Sequence, residues 1–130
     1  MRVNYAIVLV RDMKRSVSFY RDIIGLPLRF ESPGWTEFAT EGATLALHAG
    51  GHGEAPSGEP GSSHAGGSGQ SGQAGQCRPG LSVPDLDAFH SRMIGKKVPC
   101  LQEPTTVFGA RVAQYQDPDG LVISVGEDRV

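Results

Sequence analysis

An internal repeat constrains this 130-residue chain more than any other feature. Val10-Arg11-Asp12-Met13 recurs as Val83-Pro84-Asp85-Leu86, at an offset of 73 residues. Ile24-Gly25 recurs as Ile94-Gly95 at an offset of 70, and Gly42-x-x-Leu45-x-Leu47 as Gly120-x-x-Ile123-x-Val125 at an offset of 78. The chain therefore builds one supersecondary unit twice, with the second helix about one turn shorter. A unit of this size cannot bury both of its faces alone, so the two copies are expected to pair.

The hydrophobic pattern gives the content of each copy. Arg2 to Val10 is dense in branched and aromatic residues and reads as a strand. Asp12 fits a helix N-cap, Met13, Val17, Tyr20 and Ile24 recur at helical spacing, and Gly25 fits the left-handed position that closes a helix. Strands are predicted near Leu28–Glu31, Trp35–Thr40 and Ala43–His48, with Glu41-Gly42 as a tight turn that sets Glu37 opposite Ala46 and Trp35 opposite His48. The second copy reads the same way: a strand over Cys77–Val83, Asp85 as cap, and a Leu86, Phe89 and Met93 helix stripe ending at Gly95. Strands follow near Val98–Gln102, Ala110–Gln116 and Leu121–Val125, with Asp117-Pro118-Asp119-Gly120 as the last turn. The order is β-α-β-β-β twice, in an α+β fold. Phe19, Tyr20 and Phe89 are expected in the core, and His90 on a solvent-facing helix surface.

Between the copies the composition changes. Ten of the 18 glycines and five serines fall between Gly50 and Gln76, with no aromatic or branched aliphatic residue. Such a stretch cannot bury enough apolar surface to offset the entropy of ordering it, so residues 50–76 read as a flexible linker or loop. A tolerated insertion is the blander reading and an active-site cover the sharper one. The expected organisation is a first module over 1–49 and a second over 77–130.

Charge and composition exclude several function classes. The formal net charge is -2, with no basic run to neutralise phosphates, so a nucleic-acid partner is not expected. No apolar run approaches the roughly 18 residues of a membrane span, and no secretory signal is evident. Cys77 and Cys100 are too few for a disulfide framework and read as reduced thiols, which fits a cytoplasmic protein.

The segment Val10 to Leu26, Val-x-Asp-Met-x-x-Ser-Val-x-Phe-Tyr-x-x-x-x-Gly-Leu, resembles the opening signature of the vicinal oxygen chelate superfamily. That superfamily includes glyoxalase I, extradiol dioxygenases, and fosfomycin- and bleomycin-resistance proteins. Phe108-Gly109-Ala110-Arg111 and Asp117-Pro118-Asp119-Gly120 are similar to its closing strands. The resemblance implies a curved mixed-sheet trough with helices on the outer face, metal ligands on the first and fourth strand of each module, and a homodimer. Because the fold hosts many chemistries, function has to be argued from the site.

By that resemblance the ligand positions correspond to Tyr5, Ala46, Arg78 and Ser124. Divalent ions of this class take imidazole, carboxylate or amide oxygen donors. Ala46 has no donor, Arg78 is a permanent cation, Ser124 ligates weakly, and tyrosine ligates iron only in other settings. No cofactor is therefore expected. A displaced metal site using Glu37, His48 and Tyr5 is the alternative, against which Glu37 reads as a solvated strand carboxylate and His48 as a strand-end histidine. His52 and His64 fall among glycines that argue against a helix.

Two functions follow. The first is a small-molecule-binding protein without the family's metal, sequestering an aromatic or anionic ligand in the manner of the bleomycin-resistance members. Its binding residues are Tyr5, Trp35, Ala46, His48, Arg78, Phe108 and Ser124, which supply stacking, one cation and hydrogen-bonding groups. The second is a glyoxalase-like lyase or dioxygenase working through a displaced metal, or through Glu37 or His48 as an acid or base.

Overall fold

The computed structural model describes residues 1–50 and 74–128. The chain divides into two compact units, Met1–Glu59 and Pro60–Val130, and most of the glycine- and serine-rich segment expected over 50–76 lies outside the described residues.

The first unit runs β1 (Tyr5–Val10), α1 (Met13–Ser18) with a π-helical continuation over Phe19–Ile24, β2 (Leu28–Glu31), β3 (Trp35–Phe38) and β4 (Thr44–Ala49). Its sheet has the order β1-β4-β3-β2. The first and last strands pair in parallel, Tyr5 against Thr44 through Val10 against Ala49, because the helix returns the chain to the same end of the sheet. The other pairings are antiparallel.

The second unit runs β5 (Gly80–Val83), α2 (Leu86–Gly95), β6 (Cys100–Val107), β7 (Ala110–Gln116) and β8 (Val122–Glu127). Its sheet order is β5-β8-β7-β6, again with a parallel first-to-last pair. The repeat offsets hold in the hydrogen-bond register: Val10 opposite Ala49 is matched by Val83 opposite Glu127.

Local chemistry explains the repeated motifs. Both Val-x-Asp segments end a strand and cap a helix: Asp12 accepts from the Arg15 amide and Asp85 from the Ala88 amide at 3.0 Å. The α2 start has a second acceptor, because Glu127 Oε2 on β8 receives the Leu86 amide at 2.9 Å. Arg111 joins this corner, paired with Asp87 at 2.8 Å and with Glu127 at 3.7 Å, and it holds the Asp87 carboxyl below its ordinary range. Gly25 takes the left-handed backbone at φ 100°, and its amide reaches the Tyr20 carbonyl. In the last turn Asp117 Oδ1 accepts the Asp119 and Leu121 amides at 2.8 and 2.9 Å, with Gly120 left-handed at φ 87°.

One face of each sheet packs on its helix. In the first unit Val10, Phe38 and Leu47 meet Val17, Tyr20 and Ile24 on the helical segment, and Thr36 donates its buried hydroxyl to Met13 Sδ at 3.3 Å. In the second, Tyr115, Ile123 and Val125 face Leu86, Phe89 and Met93. Each such side chain contributes about 1.5–3 kcal/mol by leaving water. Phe19, Tyr20 and Phe89 are all core residues, as expected. No helix among the described residues is long and apolar enough to cross a membrane.

Several sequence expectations are corrected. The strands expected from Arg2 and Cys77 start at Tyr5 and Gly80. The strand expected over Val98–Gln102 is Cys100–Val107, so it reaches the Phe108-Gly109 turn directly. The first helical segment is six α-helical and six π-helical residues against ten in α2, a smaller difference than one turn. Lys97, not a glycine, takes the left-handed position after α2, at φ 63°. The β3–β4 register is as predicted, but the ladder stops at Phe38 opposite Leu45 and the Thr40 hydroxyl closes the turn, accepting from the Gly42 amide.

Replacing Asp85 by alanine removes a helix cap and is expected to cost about 1 kcal/mol. Thermal unfolding followed by circular dichroism should then show a midpoint lower by about 4 °C; an unchanged midpoint would contradict the capping role.

Candidate functional site

In the first unit, alternation turns one set of strand residues away from the helix. Tyr5, Ile7 and Leu9 on β1, Thr44, Ala46 and His48 on β4, Trp35 and Glu37 on β3, and Phe30 on β2 share this open face by register. It is largely apolar: Ile7, Leu9 and Phe30 are 54%, 64% and 52% exposed. Leaving such residues in water is unfavourable, and their clustering marks the face as a contact surface.

Trp35 is its centre. The Tyr5 ring meets the Trp35 ring edge-to-face at 6.1 Å, and the His48 ring meets it from another side at 5.8 Å and 89°. Tyr5 and Trp35 belong to the two strands flanking β4, so their contact passes over β4 where Ala46 stands. The fully buried Ala46 methyl leaves room for it. The indole is also fixed by polar bonds: Trp35 Nε1 donates to Glu37 Oε2 at 2.9 Å, and Glu37 Oε1 lies 3.5 Å from the Arg29 guanidinium. Glu37 is thus a half-buried, paired carboxylate rather than the solvated one expected.

Tyr5 also lines a cavity of about 520 Å³ at the end of β1 and β4, with Arg2, Asn4, Glu41 and Thr44 around it. A second hollow of about 680 Å³ opens beside Asp12, Lys14, Glu31 and Ser32. Neither is lined by Trp35, Glu37 or His48, so the ring cluster is an open platform bordered at Tyr5 by a polar recess.

The other expected site residues lie in the second unit. Ser124 is half-buried on the open face of its sheet, between Gly80 and Gln114. Arg78 is half-buried two residues before β5. Phe108 is not on a strand face: it is 99% exposed at the tip of the β6–β7 hairpin, with φ 50° followed by Gly109 at φ 79°. Those values are those of a two-residue hairpin turn with both central residues left-handed, a costly backbone for phenylalanine. His90, expected on a solvent-facing helix surface, is half-buried, and its Nδ1 lies 2.9 Å from the Tyr115 hydroxyl. Burial pushes the Tyr115 phenol well above its ordinary range, and burial likewise raises the Cys100 thiol. His52 and His64 lie outside the described residues.

Sequence reasoning missed Arg29, Ile7, Leu9 and Phe30. Alternation from Tyr5 would have found the two on β1; the bulge between Leu28 and Phe30 hid the two on β2.

The family's metal can be tested on these positions. Tyr5 and Ala46 do share one face, but Ala46 presents only a methyl group. In the second unit Ser124 presents a hydroxyl and Arg78 a cation. Glu37 is already bonded by Trp35 and Arg29, and the indole stands between it and His48. Among the described residues no group of three or more His, Cys, Asp or Glu side chains is placed to hold a metal ion. These residues do not fit the ion.

Solved structures match this chain along nearly its whole length. A protein of unknown function from Agrobacterium tumefaciens str. C58 is 29% identical, with a TM-score of 0.72, over 99% of this chain and 95% of that one. TnmS3, an antibiotic binding protein from Streptomyces sp. CB03234, is 25% identical at a TM-score of 0.70, over 99% and 97%. A lactoylglutathione lyase from Agrobacterium tumefaciens shares the fold, at 19% identity and a TM-score of 0.69, over 97% and 92%. No curated protein sequence matches the chain. The two β-α-β-β-β units agree with a family match spanning residues 2–125: the chain belongs to the Glyoxalase/Bleomycin resistance protein/Dioxygenase superfamily.

Proposed function

We propose that this protein binds and sequesters an aromatic or anionic small molecule without the family's metal. The observation that carries this reading is the Tyr5, Trp35 and His48 cluster, built around Ala46 where the resemblance calls for a carboxylate ligand. Three rings in edge-to-face contact offer an aromatic ligand stacking faces and edges that are already ordered, so little side-chain freedom is lost on binding. The Trp35–Glu37–Arg29 chain keeps the indole in place. TnmS3, described as an antibiotic binding protein, supports the same class of activity. A homodimer and a cytoplasmic location belong to this proposal as well.

The lyase or dioxygenase alternative has less support from the same residues. Chelating two substrate oxygens needs an ion held by several strong donors, and Ala46 and Ser124 do not provide them. Glu37 as a general base would first have to give up its bonds to Trp35 and Arg29.

Naphthalene-2-carboxylate, an aromatic anion, is expected to raise the unfolding temperature in a saturable way, since a ligand of the folded state stabilises it by mass action. The Tyr5→Ala variant should bind it about tenfold more weakly by calorimetry. No thermal shift, or undiminished affinity in Tyr5→Ala, would contradict the reading. Protein loaded with zinc, nickel, manganese or iron(II) and then desalted should retain far less than one equivalent by mass spectrometry; stoichiometric metal would overturn the metal-free part.

A further inference from the structure

The polar recess at one end of the first sheet is built by two short segments. Residues 2–4 lead into β1, and residues 39–43 join β3 to β4. The parallel pairing of β1 with β4 begins at Tyr5 opposite Thr44, so the two segments leave the sheet at the same end. Each is tied down. The Thr44 amide donates to the Asn4 carbonyl at 2.8 Å. The Thr40 hydroxyl accepts from the Gly42 amide at 3.1 Å and donates to the Ala43 carbonyl. The cavity of about 520 Å³ lined by both segments is therefore held open by the backbone at the head of the sheet.

Its charges are one guanidinium and one carboxylate, Arg2 and Glu41. Arg2 Nε donates to Asn4 Oδ1 at 2.9 Å, which orients the guanidinium and leaves its two terminal amino groups for another acceptor. Among the described residues no ion pair or hydrogen bond joins Arg2 to Glu41. Opposite charges that line one cavity without meeting set a field across it. A ligand with a single charge is drawn to one of them and repelled by the other. A ligand with an ammonium and a carboxylate satisfies both, and the guanidinium can take the carboxylate through two parallel bonds. The size agrees. A round cavity of this volume is about 10 Å across, and an α-amino acid head with a charge-assisted bond at each end spans about 9 Å. The Tyr5 ring, 45% exposed, supplies an apolar wall.

We propose that this recess binds the zwitterionic head of an aromatic α-amino acid. The carboxylate lies on Arg2, the ammonium on Glu41, and the side chain against Tyr5. Arg2 and Glu41 are both exposed, so water and salt weaken each contact, and the selectivity is several-fold rather than many orders of magnitude. The inference departs from the sequestration reading in the charge of the ligand. It shares Tyr5 with that reading and does not rest on the Trp35 platform.

Three probes test it: L-phenylalanine, 3-phenylpropanoate, which lacks the ammonium, and 2-phenylethylamine, which lacks the carboxylate. Nitrogen–proton spectra of the full chain at low salt report the backbone amides of Gly42 and Thr44. L-Phenylalanine is expected to shift these peaks saturably, and each of the other probes to bind about fivefold more weakly. Glu41→Gln should abolish the preference over 3-phenylpropanoate and keep that over 2-phenylethylamine. Arg2→Gln should do the reverse. Both side chains are exposed, so neither variant disturbs the core. The proposal is overturned if the two amides stay in place, if the three probes bind alike, or if either preference survives the substitution that should remove it. Movement of Gly42 and Thr44 with a still Trp35 indole supports the recess and counts against the platform; movement of the indole alone overturns the recess.

Discussion

Among the described residues each unit sets one helical segment against a four-stranded sheet, and that segment covers one face. Parallel pairing of the first and last strands follows from the helical crossover between them, and it directs Val8 and Val10, or Leu81 and Val83, toward the packed side. Strand alternation then obliges every second residue to face the other way. What the uncovered positions carry is free of the demands of the unit's own core.

The two units use that freedom differently. The first fills its open face with Tyr5, Ile7, Leu9, Phe30 and Trp35, and uses the half-buried Glu37, itself paired with Arg29, to hold one indole still. The second fills its face with glutamine, serine and valine. The positions that resemble the family's ligand sites have followed these two trends: Ala46 admits a ring contact over β4, and Ser124 continues a polar row. A carboxylate at position 46 would stand where Tyr5 and Trp35 now meet, so an aromatic platform and a metal carboxylate compete for the same space. The fold is retained while the chemistry of the site changes, which is why membership of the superfamily does not fix activity.

Much of the fold was legible because its signals are local. Val-x-Asp reads as strand end and helix cap from the side-chain chemistry of aspartate, and the structure shows both caps formed. The opposition of Glu37 to Ala46 and of Trp35 to His48 followed from the length of the turn between them. The ring cluster follows from that register with one further step. Less legible were features set by long-range packing. The π-helical turn at Phe19–Ile24 leaves no mark on the apolar spacing. The bond between His90 and Tyr115 joins residues 25 apart in the chain. The β7–β8 register was undecided; Asp117 bonds to Leu121 across a three-residue turn, and this places Gln114 opposite Ser124. Phe108 stands at the tip of a hairpin because β6 runs on to Val107, and that extra length is not visible in the polar, threonine-rich sequence of the strand.

The central claim is that Trp35 is the platform on which an aromatic ligand rests. The chain has a single tryptophan, so its indole N–H gives one isolated resonance in a nitrogen–proton spectrum. Titration with naphthalene-2-carboxylate should move that resonance saturably, at the same concentration that stabilises the fold, because a stacked ring alters the field at Nε1 and the bond to Glu37. A resonance that stays in place while the ligand stabilises the protein would put the binding site elsewhere and contradict the account.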